Sequence, residues 1–282
     1  MLRRFKLYLQ LIRFDKPIGS YLVLWPTLIA LWLASGGVPE WKFLIIFVLG
    51  TFMMRSAGCI VNDIADRDLD NKVQRTKNRP ITAGKVSVFE ALLCLAFFLL
   101  LSLLLVLQLN RLCLYIAFIS LGLTMLYPFT KRFVETPQLF LGLAFATSVP
   151  MAFAAVQNSV SVVGWTFYAL SLILPIAYDT MYAMVDREDD LKIGVKSTAI
   201  SFGRFDKLII ALLQVFVLCL GVSVGWQLQL AWAYYAGLLG MAILFVYQQM
   251  LIKDRLREKC FRAFLNNHWA LFCLFVGVVL ST

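Results

Sequence analysis

The chain is 282 residues long, 61% hydrophobic and only 15% charged, with a mean hydropathy of +0.81; soluble domains run nearer to about 45–50% apolar and about 25% charged. No interior of this size can absorb that apolar excess, so the lipid bilayer is part of the solvent; soluble nucleic-acid-binding, disordered, collagen-like and disulfide-scaffold classes are excluded. The net charge of +10 is read as loop charge distributed by the positive-inside rule.

In chain order, Met1-Leu2-Arg3-Arg4-Phe5-Lys6 resembles the basic start of a signal peptide, but a long first span follows instead of a short apolar stretch and cleavage site. It is read as an uncleaved, basic amphipathic lead-in. A helical span needs roughly 20 apolar residues. Single spans are expected over 17–39, 43–62, 91–110, 112–130 and 263–282. The stretches 136–178 and 208–252 hold two each, broken at Gln157-Asn158-Ser159 and near Gly225-Trp226-Gln227. The total is nine. Alternating barrel periodicity is absent, so the expected fold is all-α, a polytopic membrane bundle forming one domain over residues 1–282.

Of the 26 Lys and Arg, 23 fall in the N-terminal segment and the loops after spans 2, 4, 6 and 8, Arg3, Arg75 and Lys131 among them; the opposite loops hold only Lys42 and Arg111. The N-terminus is therefore expected in the cytoplasm and the C-terminus outside, in a bacterial-type inner membrane or its mitochondrial equivalent. None of the six cysteines makes a CxxC pair, and His268 is the single histidine. Dithiol, zinc and haem chemistry lack their ligands, and His268 is read as an interfacial polar residue.

The loops after spans 2 and 6 are long, and long loops on one face are where function tends to sit. They also resemble each other: Asp66-Arg67-Asp68-Leu69-Asp70-Asn71-Lys72 and Asp186-Arg187-Glu188-Asp189-Asp190-Leu191-Lys192 share four of seven residues at a spacing of 120. A duplicated helical unit, with 62–72 matching 182–192, is the simplest account. On a helix continuing out of span 2, Asn62, Asp66 and Asp70 fall on one face with Asp63 beside it, while Asp68 points away. Asp179, Tyr182, Asp186 and Asp190 make a second stripe, with Asp189 adjacent.

Like charges at i, i+4 repel and carboxylates near a bilayer are costly, so a cation is expected between them. Oxygen-only donors without histidine or cysteine suit a hard ion, Mg²⁺ above all, which usually bridges a few carboxylates to a phosphate. The competing reading is a set of solvated loop acids. Lys131 and Arg132, after span 4, could complete a diphosphate clamp or simply mark the positive-inside face. Arg55 lies inside span 2, about two turns deeper than Asn62. A buried arginine calls for an anion, and its fork matches a carboxylate. Arg13 and Asp15 sit where span 1 begins, as interface anchors or, for Arg13, as a substrate contact. Tyr127, Tyr178 and Tyr182 offer aromatic faces to a cation.

The paired motifs Asn62-Asp63-x-x-Asp66-x-x-x-Asp70 and Asp186-x-x-x-Asp190, with nine spans, resemble the UbiA superfamily of intramembrane prenyltransferases. The segments 13–20 (Arg-Phe-Asp-Lys-Pro-Ile-Gly-Ser), 24–27 (Leu-Trp-Pro-Thr), 77–80 (Lys-Asn-Arg-Pro) and 127–132 (Tyr-Pro-Phe-Thr-Lys-Arg) look like the branch that prenylates 4-hydroxybenzoate for ubiquinone synthesis. The resemblance implies a bundle around a central cavity, capped by the two cytoplasmic loops and open sideways to lipid. It implies Mg²⁺ on Asn62, Asp66, Asp70, Asp186 and Asp190, with Asp189 an alternative to Asp190, diphosphate on Lys131 or Arg132, and the aromatic acid on Arg55. The expected reaction joins a polyprenyl diphosphate to the ring carbon ortho to the hydroxyl, with no obligate protein partner. A transporter would instead need a midplane site with access from both sides, whereas these acids lie at one boundary. A structural scaffold leaves the carboxylate stripes without a purpose.

Overall fold

The computed structural model describes residues 2–72 and 76–282; Arg75, counted above in the basic loop, lies outside the described residues, as do the side chains of Leu2 and Arg3. Every regular element among them is helical, and nine helices are long and apolar enough to cross a membrane. The basic lead-in forms α1 (Leu2–Leu11), separate from the first span. Its buried Leu11 and flanking Leu7 and Tyr8 pack with Ile60, Ile81 and Ala91.

The spans follow as α2 (Ile18–Ser35) and α3 (Trp41–Ala65), then a single turn, α4 (Arg67–Asp70). Next come α5 (Val88–Val106), closed by a reciprocal Ser87–Glu90 capping box, and α6 (Arg111–Thr130), capped by Asn110. The span over 137–157 is two pieces, α7 (Pro137–Ala146) and α8 (Ser148–Gln157), and Asn158 ends it in the left-handed region at φ 55°. The break expected at 157–159 is therefore where it was placed. The second break falls slightly later: α11 runs through Gly225-Trp226 and ends at Gln227.

The longest helix is α9 (Val162–Ile193), followed by the short α10 (Thr198–Ser201) and a 3₁₀ turn. Then come α11 (Asp206–Gln227), α12 (Trp232–Ile252) and α13 (Arg257–Val279). At 32 residues, α9 is about 48 Å long, well over the roughly 30 Å hydrocarbon core. Its last turns must stand clear of the apolar layer, and they carry the second acidic motif. The first motif differs. Its helix does not continue smoothly: α3 stops at Ala65, Asp66 takes φ −93° and ψ 3°, and helix resumes at Arg67. Two backbone hydrogen bonds preserve the spacing across the kink, Asp66 N–H to the Asn62 carbonyl at 2.9 Å and Asp70 N–H to the Asp66 carbonyl at 2.8 Å.

The core lies among α2, α8, α9 and α13, where Ile29, Phe153, Phe167, Leu174 and Leu274 are buried. By contrast, α5 and α6 bury almost nothing, and Phe97, Leu100, Phe118 and Ile119 are all more than half exposed. In a bilayer these faces meet lipid, which is as apolar as they are. Polar groups inside the spans pair with one another: Gln214 donates to Gln248 at 2.8 Å, and Gln248 to Asn266 at 3.0 Å. His268, expected at the interface, is partly buried and accepts the Trp25 indole N–H at 2.8 Å.

With no hydrophobic driving force between lipid-bathed helices, close backbone packing must hold them. The α12–α13 pair relies on glycine for this: a Cβ on Gly237 would lie 2.6 Å from the Cys273 carbonyl and 2.9 Å from Gly277 Cα. Gly237→Leu should lower the thermal unfolding midpoint in detergent, on an overpacking cost of about 1–3 kcal/mol. Gly122→Leu, where nothing lies within 4 Å, is the control and should leave it unchanged; equal midpoints for both would count against a glycine-packed pair.

Candidate active site

The kink at Asp66 turns the first motif into the mouth of a cavity of about 940 Å³. Lys131, just past the end of α6, reaches in and donates to Asn62 Oδ1 at 3.1 Å and Asp66 Oδ2 at 2.7 Å. Burial works against its charge, but Tyr127 and Asp66 outweigh that, so the Lys131 ammonium is held above its ordinary pKa. Asp70 is buried and pairs with Arg79 Nη1 at 2.5 Å. Burial pushes the Asp70 carboxyl up, with Arg79 pulling the other way.

Asp63 is fully buried and joins two segments: Arg13 meets its Oδ1 at 2.7 Å and Arg79 at 3.2 Å. A lone buried carboxylate would cost several kcal/mol, so both guanidinium groups are needed. Arg13 sits in the left-handed region at φ 59°, a conformation costing roughly 1–2 kcal/mol outside glycine, which the ion pair opposes. Arg13 and Arg79 both line the cavity.

From the other side, α9 presents Asp179, Tyr182, Asp186 and Asp190 to the same cavity, as a stripe at helical spacing should. Asp189 does not line it; it faces Arg257 at 3.4 Å, while Glu188 takes the same guanidinium at 2.7 Å. Of the two adjacent acids, Asp190 is the one turned inward. Lys131 and Arg132 divide in the same way. Arg132 points off the cavity, donating to the Ala65 carbonyl at 2.6 Å and stacking over Phe129. It ties the turn after α6 to the end of α3.

Arg55 lines the inner wall, its guanidinium 5.6 Å from the Phe145 ring centroid, with no ion pair among the described residues. A second, apolar hollow of about 350 Å³, walled by Phe47, Leu103, Phe118 and Met151, shares Arg55, Gly58, Thr124 and Phe145 with the first. Arg55 therefore stands where the polar cavity meets the apolar one. Tyr127, Tyr178 and Tyr182 line the polar cavity, and the buried Tyr178 hydroxyl has no hydrogen-bond partner among the described residues.

Among the described residues no three His, Cys, Asp or Glu side chains form a ready-made metal cage. Asp63, expected as a ligand, also lines the cavity, its Oδ1 held by Arg13 and Arg79 and its Oδ2 buried with no partner among the described residues; Asp189, the alternative to Asp190, lies off the lining and faces Arg257. The acids that line the cavity fit Mg²⁺. Asp66 keeps one buried oxygen, Oδ1, without a partner among the described residues, the donors are all oxygen, and Mg²⁺ usually completes its shell with water and substrate phosphate. The sequence also missed residues that line the cavity, chiefly Arg79, Gln138 and Lys196. Arg79 had only its place in Lys77-Asn78-Arg79-Pro80 as a signal, since it lies on no helical stripe.

The UbiA prenyltransferase family matches residues 23–276. A protein from Aeromonas salmonicida named 4-hydroxybenzoate octaprenyltransferase is 53% identical over 97% of this chain and 95% of its own length. One of the same name from Coxiella burnetii is 52% identical over 97% of this chain and 96% of its own. In structure, a UbiA homolog from Aeropyrum pernix matches with a TM-score of 0.82 at 20% identity, over 93% of this chain and 98% of that one. A homolog from Archaeoglobus fulgidus bound to GPP and Mg²⁺ matches at 0.69 and 17%, over 96% and 99%. The likeness thus extends through all nine spans and both acidic motifs, and the chain belongs to the UbiA prenyltransferase family.

Proposed function

We propose that this protein transfers a polyprenyl group from polyprenyl diphosphate to 4-hydroxybenzoate, giving 3-polyprenyl-4-hydroxybenzoate and diphosphate in ubiquinone synthesis. The observation that carries the reading is the cavity itself. Two acidic stripes and Lys131 line its mouth, Arg55, with no ion pair among the described residues, lines its inner wall, and an apolar hollow adjoins it. The relatives that match nearly the full chain are named for this acceptor. The chain is read as a single domain over 1–282 with an internal repeat at 62–72 and 182–192.

Asn62, Asp66, Asp70, Asp186 and Asp190 are the residues that would hold Mg²⁺, with the diphosphate beside Lys131, Arg13 and Arg79. Bound there, the ion would draw charge from the diphosphate and so favour heterolysis of the allylic C–O bond, with diphosphate as the leaving group. Lys131 adds a protonated donor for the departing diphosphate oxygens. The apolar wall keeps water from the allylic cation, and the faces of Tyr127, Tyr178 and Tyr182 stabilise it through their quadrupoles. Arg55 holds the acceptor by its carboxylate, so that the carbon ortho to the hydroxyl meets the allylic carbon. That carbon then passes its proton to the released diphosphate or to a cavity aspartate, and the ring regains aromaticity.

Membranes containing the protein should lose prenyl transfer in EDTA and regain it with added Mg²⁺. Asp66→Ala and Asp186→Ala should each lower turnover by at least about a hundredfold with the protein still in the membrane. Asp68→Ala should keep most activity, because that carboxylate is exposed and, among the described residues, pairs with its neighbour Arg67. Full activity in either inward variant would break the shared site.

Arg55→Ala should raise KM for 4-hydroxybenzoate and cost a few kcal/mol in kcat/KM, leaving the KM of the prenyl diphosphate nearly unchanged. Were both KM values to rise together, Arg55 would belong to the diphosphate clamp instead. The charge asymmetry of the loops supports a bacterial-type inner membrane with a cytoplasmic N-terminus. A reporter fused after Thr282 should then be active only on the non-cytoplasmic side; activity in the cytoplasm would reverse the topology.

A further inference from the structure

Gly19 lies in the first turn of α2 and lines the cavity beside Arg55. A Cβ there would overlap Arg55 Nη2 and lie 2.9 Å from Nε and 3.0 Å from Cζ. All three nearest atoms belong to that one guanidinium. The backbone does not ask for glycine at this position, since Gly19 is helical and absent from the positive-φ residues. Glycine is also a poor helix former. What the missing side chain leaves free is the space that the guanidinium occupies, with Phe145 of α7 on another side of it.

We propose that Gly19 is the positioning residue for Arg55 and, through it, a determinant of acceptor specificity; this rests on the reading of Arg55 as the carboxylate partner. The guanidinium rests on the bare Cα of Gly19, recessed into the wall. Any side chain at 19 displaces the guanidinium from this position and changes the interval between it and the acidic motifs. A rigid para-hydroxy aromatic acid has a fixed length from carboxylate to reacting carbon. Its ring carbon therefore meets the allylic carbon only when the guanidinium sits at one depth, and misplacements on the ångström scale are costly in rate.

The test is a double-mutant cycle over Gly19→Ala and Arg55→Lys in membranes, with both substrates varied. Alanine suits a helix and displaces only the flexible end of a side chain, so Gly19→Ala should keep the thermal midpoint of the parent protein. It should raise KM for 4-hydroxybenzoate about tenfold and move the prenyl diphosphate KM by less than about twofold. Lysine has no Nη atoms to collide with, so in the Arg55→Lys background the same change should alter the acceptor KM by less than about twofold. An equal factor in both backgrounds would show that Gly19 acts independently of Arg55 and would overturn the proposal. If Arg55→Ala itself leaves the acceptor KM unchanged, the carboxylate reading is what fails, and the proposal falls with it.

Discussion

Charge compensation at the boundary of the apolar layer is the constraint on which this architecture turns. Asp63, Asp66 and Asp70 are all buried within eight residues, and no helix can hold three such carboxylates together unaided. Their partners come from elsewhere: Arg13 precedes α2, Arg79 lies in the loop before α5, and Lys131 follows α6. Each ion pair is thus also a tertiary clasp. The segments around the cavity are drawn together by the same charges that line it.

The two acidic motifs reach that cavity by different local routes. On α9 the acids ride a helix too long for the membrane, so its end projects and its stripe stays straight. On α3 the helix breaks at Asp66 and restarts, which bends the motif while two backbone hydrogen bonds keep its register. Similar sequence therefore sits on dissimilar backbone. Past the kink Asp66 meets Lys131, and one of its oxygens remains buried without a partner among the described residues.

Burial is distributed to match this task. Helices α2, α9 and α13 are packed into the core, whereas α5 and α6 present large apolar side chains outward and wall the apolar hollow from one side. In water such a surface would drive association; in lipid it is solvated. The bundle can therefore keep a polar cavity and an apolar one in contact, with Arg55 at their junction.

The nine spans, the two carboxylate stripes and the anomaly of Arg55 were legible in the sequence because hydropathy and helical periodicity are local properties. A run of apolar residues states its length, and i, i+4 spacing states its face. Which cation meets which acid was not legible. Lys131 turns inward and Arg132 outward, Asp190 inward and Asp189 toward Arg257. Those choices depend on the rotation of one helix against another and on the path of the loops. Nothing local in the sequence records that Arg13, 50 residues away, closes on Asp63 Oδ1. Gly19 reads as an unremarked glycine until Arg55 is laid against it. The tertiary structure decided these because ion pairing and steric exclusion act across space between residues remote in sequence, where no local pattern records their approach.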